Sequence, residues 1–183
     1  MPTDSAAGVA RKGYVIRPAV PSDAGWLAAL AERTFRETYE AFNRPEDMES
    51  YVASHFGRAL QEAELASPVR GTLVAEAGHQ GIGYVQLGWE STPACVTGPA
   101  PAEIVRFYVD RPWHGRGIAQ ALMDAAADLA RLRGSRTLWL GVWERNDRAV
   151  AFYRKSGFVD VGTQTFVLGA DHQRDLVLAR ALD

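Results

Sequence analysis

Gly115 and Gly117, set in the run His114-Gly115-Arg116-Gly117-Ile118-Ala119, stand between an apolar stretch and a segment of helical periodicity. The first N–H groups of a helix lack intrahelical acceptors, and the macrodipole adds partial positive charge there, so an anion is stabilised at that end. Glycine permits positive φ and lets the backbone approach a phosphate without a Cβ in the way. Arg116 adds a charge. Downstream, Asn146 and Tyr153 lie seven residues apart, almost two helical turns, which places an amide and a phenol near one face about 10 Å apart. A phosphate cradle, an amide and a phenol in this order suit an elongated anionic ligand with a proton donor at its reactive end.

The elements that must position these groups are legible. Residues 103–109 are β-branched and aromatic and read as a strand, which Pro112 stops because it has no N–H to give a ladder. Ile118, Leu122, Ala126 and Leu129 then recur at helical spacing, with Gly134 past the end. Residues 136–143 read as a strand and 146–158 as a short helix. Asn146 or Asp147 caps that helix, Arg154 and Lys155 suit its last turn, and Gly157 suits the left-handed position after it. Structural roles alone would make Asn146 a cap and Tyr153 a core residue.

Two nucleotide motifs are excluded. A dinucleotide fingerprint counted from Gly115 would place Gln120 where Gly or Ala is needed, and no Gly-Lys-Ser/Thr triplet for a P-loop exists. The hexad from His114 to Ala119 instead resembles the Gln/Arg-x-x-Gly-x-Gly/Ala signature of the GCN5-related N-acetyltransferases, which binds the pyrophosphate of acetyl-coenzyme A. His114 departs from it at the first position. The segment from Asn146 to Phe158 resembles a second conserved region of that family, where the residue at Asn146 contacts the pantetheine arm and the one at Tyr153 sits near the sulfur. The likeness implies a single-domain α/β fold, a mixed sheet of about six to seven strands flanked by four to five helices. It also implies acetyl-coenzyme A as cosubstrate; no metal is expected, because His55, His79, His114 and His172 are scattered without metal-ligand spacing.

Direct acetyl transfer to a primary amine is the mechanism this implies. An alkylamine with a pKa near about 10.4 is mostly protonated at neutral pH, so a base is required; Glu103 is the candidate and Glu144 the runner-up. Backbone N–H groups at Phe107, Tyr108 and Val109 are expected to hold the thioester oxygen and its tetrahedral anion. Tyr153 is the expected general acid for the departing thiolate.

The first half speaks to the acceptor. Residues 14–18 read as a strand, Pro21-Ser22-Asp23 as a helix start, and Leu27, Leu30, Ala31, Thr34 and Phe35 as one apolar face. A break at Asn43-Arg44-Pro45 leads into a helix through Met48, Tyr51, Val52 and Phe56; a third covers 59–65. Strands at 72–77 and 82–89 form a hairpin with a bulge near Gly88, and 158–168 and 174–182 close the sheet. The runs Thr34 to Tyr39, Asn43 to Met48, Leu138 to Glu144 and Leu168-Gly169 are similar to bacterial PaiA-type spermidine/spermine N-acetyltransferases. That narrower likeness implies a polyamine acceptor. Between Glu32 and Glu64, eight acids stand against four arginines, which suits a polycation, although solvated helix faces also carry such charge. Another small amine, a peptide N-terminus, or a non-catalytic acetyl-coenzyme A sensor are the alternatives.

A length of 183 residues with 47% hydrophobic content fits one domain, expected over 13–183 after a flexible tail at 1–12. The formal net charge of -2 and the lack of a basic aromatic patch argue against nucleic acid, and no apolar run reaches membrane-spanning length. One cysteine, Cys95, forms no internal disulfide, and the four histidines lack metal-ligand spacing. A cytoplasmic protein is expected. Pairing of two copies through terminal strands is left open by the resemblance.

Overall fold

The computed structural model describes residues 9–11 and 13–183. Of the expected flexible tail, residues 1–8 and 12 lie outside the described residues. Residues Val9–Arg11 correct that expectation: they form a short strand, β1, against β2 (Tyr14–Pro18). Next come α1 (Ala24–Tyr39), α2 (Pro45–His55) and α3 (Arg58–Ala66), then β3 (Arg70–Ala77) and β4 (Gln80–Gly88). The remaining elements are β5 (Pro101–Val109), α4 (Ile118–Leu132), β6 (Thr137–Trp143), α5 (Asp147–Lys155), β7 (Val159–Leu168) and β8 (Asp171–Ala181). Among the described residues, one sheet of order β1-β2-β3-β4-β5-β6-β8-β7 joins the strands, seven longer ones and the three-residue β1.

Local chemistry explains these boundaries. Pro45 occupies the first turn of α2, where its missing N–H is no loss. Gly78, at φ +61°, turns the β3–β4 hairpin. The expected bulge falls at Gln86/Leu87, beside Gly88, where the β4–β5 register shifts.

The sheet is covered on both faces. Strand alternation sends Leu73 and Ala75 of β3 to one side, where Leu122, Met123 and Ala126 of α4 and Val150 of α5 complete a core. Val74 and Tyr84 face the other side and pack under Leu27, Phe35, Met48 and Val52 of α1 and α2. Helix α3 is tied down differently, through a charge. Arg106 of β5 donates to Glu64 of α3 at 2.5 Å and to Gln86 at 3.1 Å, and both charged side chains are mostly buried. Removing one partner of such a pair leaves the other uncompensated. Glu64→Ala is therefore expected to cost about 3 kcal/mol and lower Tm by roughly 6–12 °C. Glu64→Leu combined with Arg106→Met should recover most of that loss in the same melt; equal damage in both proteins would show that the pair is not the cause.

The feature that matters for function lies at the centre of the sheet. Every pairing is antiparallel except β5 with β6, and that parallel pairing spans only Pro101–Glu103 against Thr137–Trp139. Beyond it, β5 stays on β4 as far as Val109 and β6 stays on β8 as far as Trp143. The two strands diverge. Their inner edges thus present backbone polar groups that carry no ladder to each other, and such groups seek partners.

Candidate active site

A cleft of about 740 Å³ occupies this divergence and runs to the start of α4. Phe107, Tyr108 and Val109 supply its β5 wall, and His114, Gly115, Gly117, Ile118 and Ala119 supply its mouth. Gly115 and Gly117 hold φ of +74° and +79°, the left-handed region that disfavours a side chain. A Cβ built at either would meet nothing within 4 Å, so the space over the helix start is open. Gly117 is the N-cap of α4 and has no side chain to satisfy the first N–H groups. Arg111, Arg145, Arg148 and Lys155 also line the cleft. Free N–H groups, open space and surrounding cations fit a pyrophosphate.

His114 has its ring committed within the protein. Nε2 lies 2.7 Å from the Val109 carbonyl and Nδ1 lies 2.8 Å from the Arg148 guanidinium. Since a carbonyl only accepts and a guanidinium only donates, the arrangement assigns the proton to Nε2. The ring bridges the end of β5 to α5, leaving the backbone of the loop to face the cleft. Arg116 stacks on Trp113, its guanidinium 4.8 Å from the ring centre.

Helix α5 brings the second group of residues. The Asn146 side chain accepts from the Ala149 N–H at 3.2 Å, so it caps the helix while lining the cleft. Tyr153 also lines the cleft and is 8% exposed, its ring packed edge-on to Phe107 and Phe158. Burial raises its phenol well above the ordinary range, so the proton stays on at neutral pH.

The far end is aromatic and acidic. Thr34, Glu37 and Thr38 of α1 reach the cleft with Phe42 and Trp143, and Phe42 packs edge-on to Trp143 at 5.1 Å. Tyr39 packs beside them, its ring 5.9 Å from that of Trp143. Most of the acids counted in this region are engaged locally: Glu32, Glu40 and Glu49 share Arg36, Glu62 pairs with Arg58 and Glu64 with Arg106. Glu37 is the one of the eight that reaches the cleft, and it is exposed.

The two carboxylates read as candidate bases are not brought to this lining. Glu103 sits four residues before Phe107, about 13 Å back along the strand, where β5 and β6 are still paired. Burial raises its pKa, offset in part by Arg70. Glu144 is turned to Arg174 at 3.1 Å. Sequence reasoning also missed Trp143, Arg145 and Arg148, whose placement depends on where β6 ends relative to the loop.

Comparison with known proteins agrees with this architecture. Residues 30–158 match the acetyltransferase (GNAT) family. An uncharacterised N-acetyltransferase of Mycobacterium tuberculosis is 36% identical over 162 residues, covering 88% of this chain and 99% of that one. The chain belongs to this family of N-acetyltransferases. The PaiA N-acetyltransferase of Thermoplasma acidophilum, solved with coenzyme A, superposes with a TM-score of 0.77 at 21% identity, over 92% of this chain and 98% of that one. A Salmonella typhimurium protein solved with its cofactor acetyl-CoA gives a TM-score of 0.68 at 20% identity, over 93% and 94%. These likenesses are of fold.

Proposed function

We propose that the protein transfers acetyl from acetyl-coenzyme A directly to a primary amine of a polyamine such as spermidine or spermine. The observation that carries this reading is the continuity of one cleft from the glycine-capped start of α4, past the Tyr153 phenol, to Glu37 and Trp143. Acetyl-coenzyme A supplies the thioester-activated acetyl group. The backbone from Gly115 to Ala119 and the cations around it hold its pyrophosphate, and Asn146 lies along the path of its arm. The backbone at Phe107 to Val109, paired with β4 on one edge and with no strand on the other, offers N–H groups to a carbonyl oxygen. Tyr153 donates to the departing sulfur. A part for Glu103 in taking the amine's proton runs through intervening water, since the strand holds it back from the cleft. At the acceptor end, exposed Glu37 and the ring of Trp143 favour a cation.

A thiol-release assay with acetyl-coenzyme A across polyamines, amino acids, aminoglycosides and peptides tests this. Release is expected to be fastest with spermidine or spermine. Faster release with peptides or aminoglycosides would reassign the acceptor, and none with any amine despite coenzyme binding would make the protein a sensor.

A further inference from the structure

Among the described residues, no cation or donor partners the buried Asp175 carboxylate. It is 7% exposed, its Oδ1 accepts no hydrogen bond, and the cation beside it in the chain, Arg174, is engaged with Glu144. Burial alone pushes its carboxyl up to about 6. Two residues earlier, on the same face of β8, Gln173 also buries a carbonyl oxygen that no donor reaches. Buried acceptors left unmatched are expensive, and a pair of them side by side calls for a ligand rich in donors.

Asp175 does not itself line the cleft, but a cross-strand neighbour of it does. Asp175 stands directly opposite Trp143 on β6 and Gln164 on β7, and opposed residues share a face. Trp143 lines the cleft. Gly141, also on β6, leaves room for these neighbours: a Cβ there would overlap Gln164 Nε2 and come within 3.3 Å of Asp175 Oδ2, so both side chains fill the space over it. Tyr39 from α1 and Tyr51 from α2 feel the Asp175 charge, which adds to burial in raising both phenols. These phenols, neutral at physiological pH, and the Gln164 amide are the groups that face the carboxylate; none neutralises it.

We propose that Asp175 receives a cationic nitrogen of the acceptor and so selects an alkylammonium substrate. The assignment rests on the amine-acceptor reading above. An ammonium brings three donors and a positive charge to a carboxylate lacking both, and the Tyr39 and Trp143 rings stand nearby.

Asp175→Asn keeps the shape and removes the charge. With spermidine as acceptor, its KM should rise about tenfold or more, while KM for acetyl-coenzyme A stays within about twofold. The folded carboxyl titrates near 6 against an ordinary 3.8, so wild-type stability present below pH 4 is lost as pH rises through 6. The Asn variant should show a shallower slope there and melt no lower than wild type at pH 7. Spermidine turnover with an unchanged KM in Asp175→Asn would overturn the assignment and leave the polyamine reading standing. If wild type acetylates no amine, that reading falls, and the melting shift produced by spermidine decides separately: loss of the shift in Asp175→Asn supports the assignment, and an equal or absent shift in wild type and variant overturns it.

Discussion

Tyr153→Phe is expected to lower kcat about 100-fold or more while the affinity for acetyl-coenzyme A stays within about twofold. The ring remains, and with it the packing against Phe107, Phe152 and Phe158 at 6.1, 5.5 and 5.8 Å. Only the hydroxyl goes. Burial holds that hydroxyl protonated, which in the proposed reaction leaves it as the donor to negative charge developing on the sulfur. A hundredfold loss corresponds to about 2.7 kcal/mol of transition-state stabilisation, the size expected for one buried donor to developing charge. Because the interaction forms only as charge develops, KM for either substrate should move little. Full turnover in the Phe variant, measured by thiol release at saturating substrates, would assign the proton to another group.

Gly117→Val is expected to weaken acetyl-coenzyme A binding about 30-fold or more. Two separate penalties combine. A β-branched residue at φ +79° carries backbone strain of about 1–3 kcal/mol, and its side chain enters the open space over the start of α4. The first should appear as a loss of Tm of several degrees, roughly 2–4 °C for each kcal/mol. The second should appear as a rise in the dissociation constant for coenzyme A by calorimetry, with kcat largely recovered at saturation. A folded variant that binds coenzyme A as tightly as wild type would remove the loop from the pyrophosphate site.

Local chemistry made the helix starts and the turns readable. Pro112 ending a strand, Asn146 capping α5 and Gly134 at φ +82° closing α4 each act within a few residues, where composition and spacing suffice. The apolar face of α1 was legible for the same reason, since Leu27, Leu30, Ala31, Thr34 and Phe35 repeat at the helical period and are all buried. Long-range register was not. Nothing in residues 101–109 shows that β5 leaves β6 after three pairs, and that departure decides that Phe107 meets the cleft and Glu103 does not. Asp175 was hidden similarly: among Arg174, Asp175 and Leu176 it reads as an exposed strand residue until β6 and β7 enclose it. The tail expectation failed at Val9–Arg11, where pairing with β2 orders residues whose own composition gave little sign of a strand.

The brevity of the β5–β6 pairing has an energetic consequence for the order of events. Three residue pairs are all the ladder that links one half of the sheet to the other, and both the coenzyme end and the acceptor end of the cleft open from that seam. A molecule bound at either end must stiffen the same loosely joined region. Whichever arrives first meets most of that entropic cost, and the second then binds to a seam already stilled. Positive cooperativity between the coenzyme and the proposed acceptor is therefore the expected result of so short a strand pairing, with no contact needed between them.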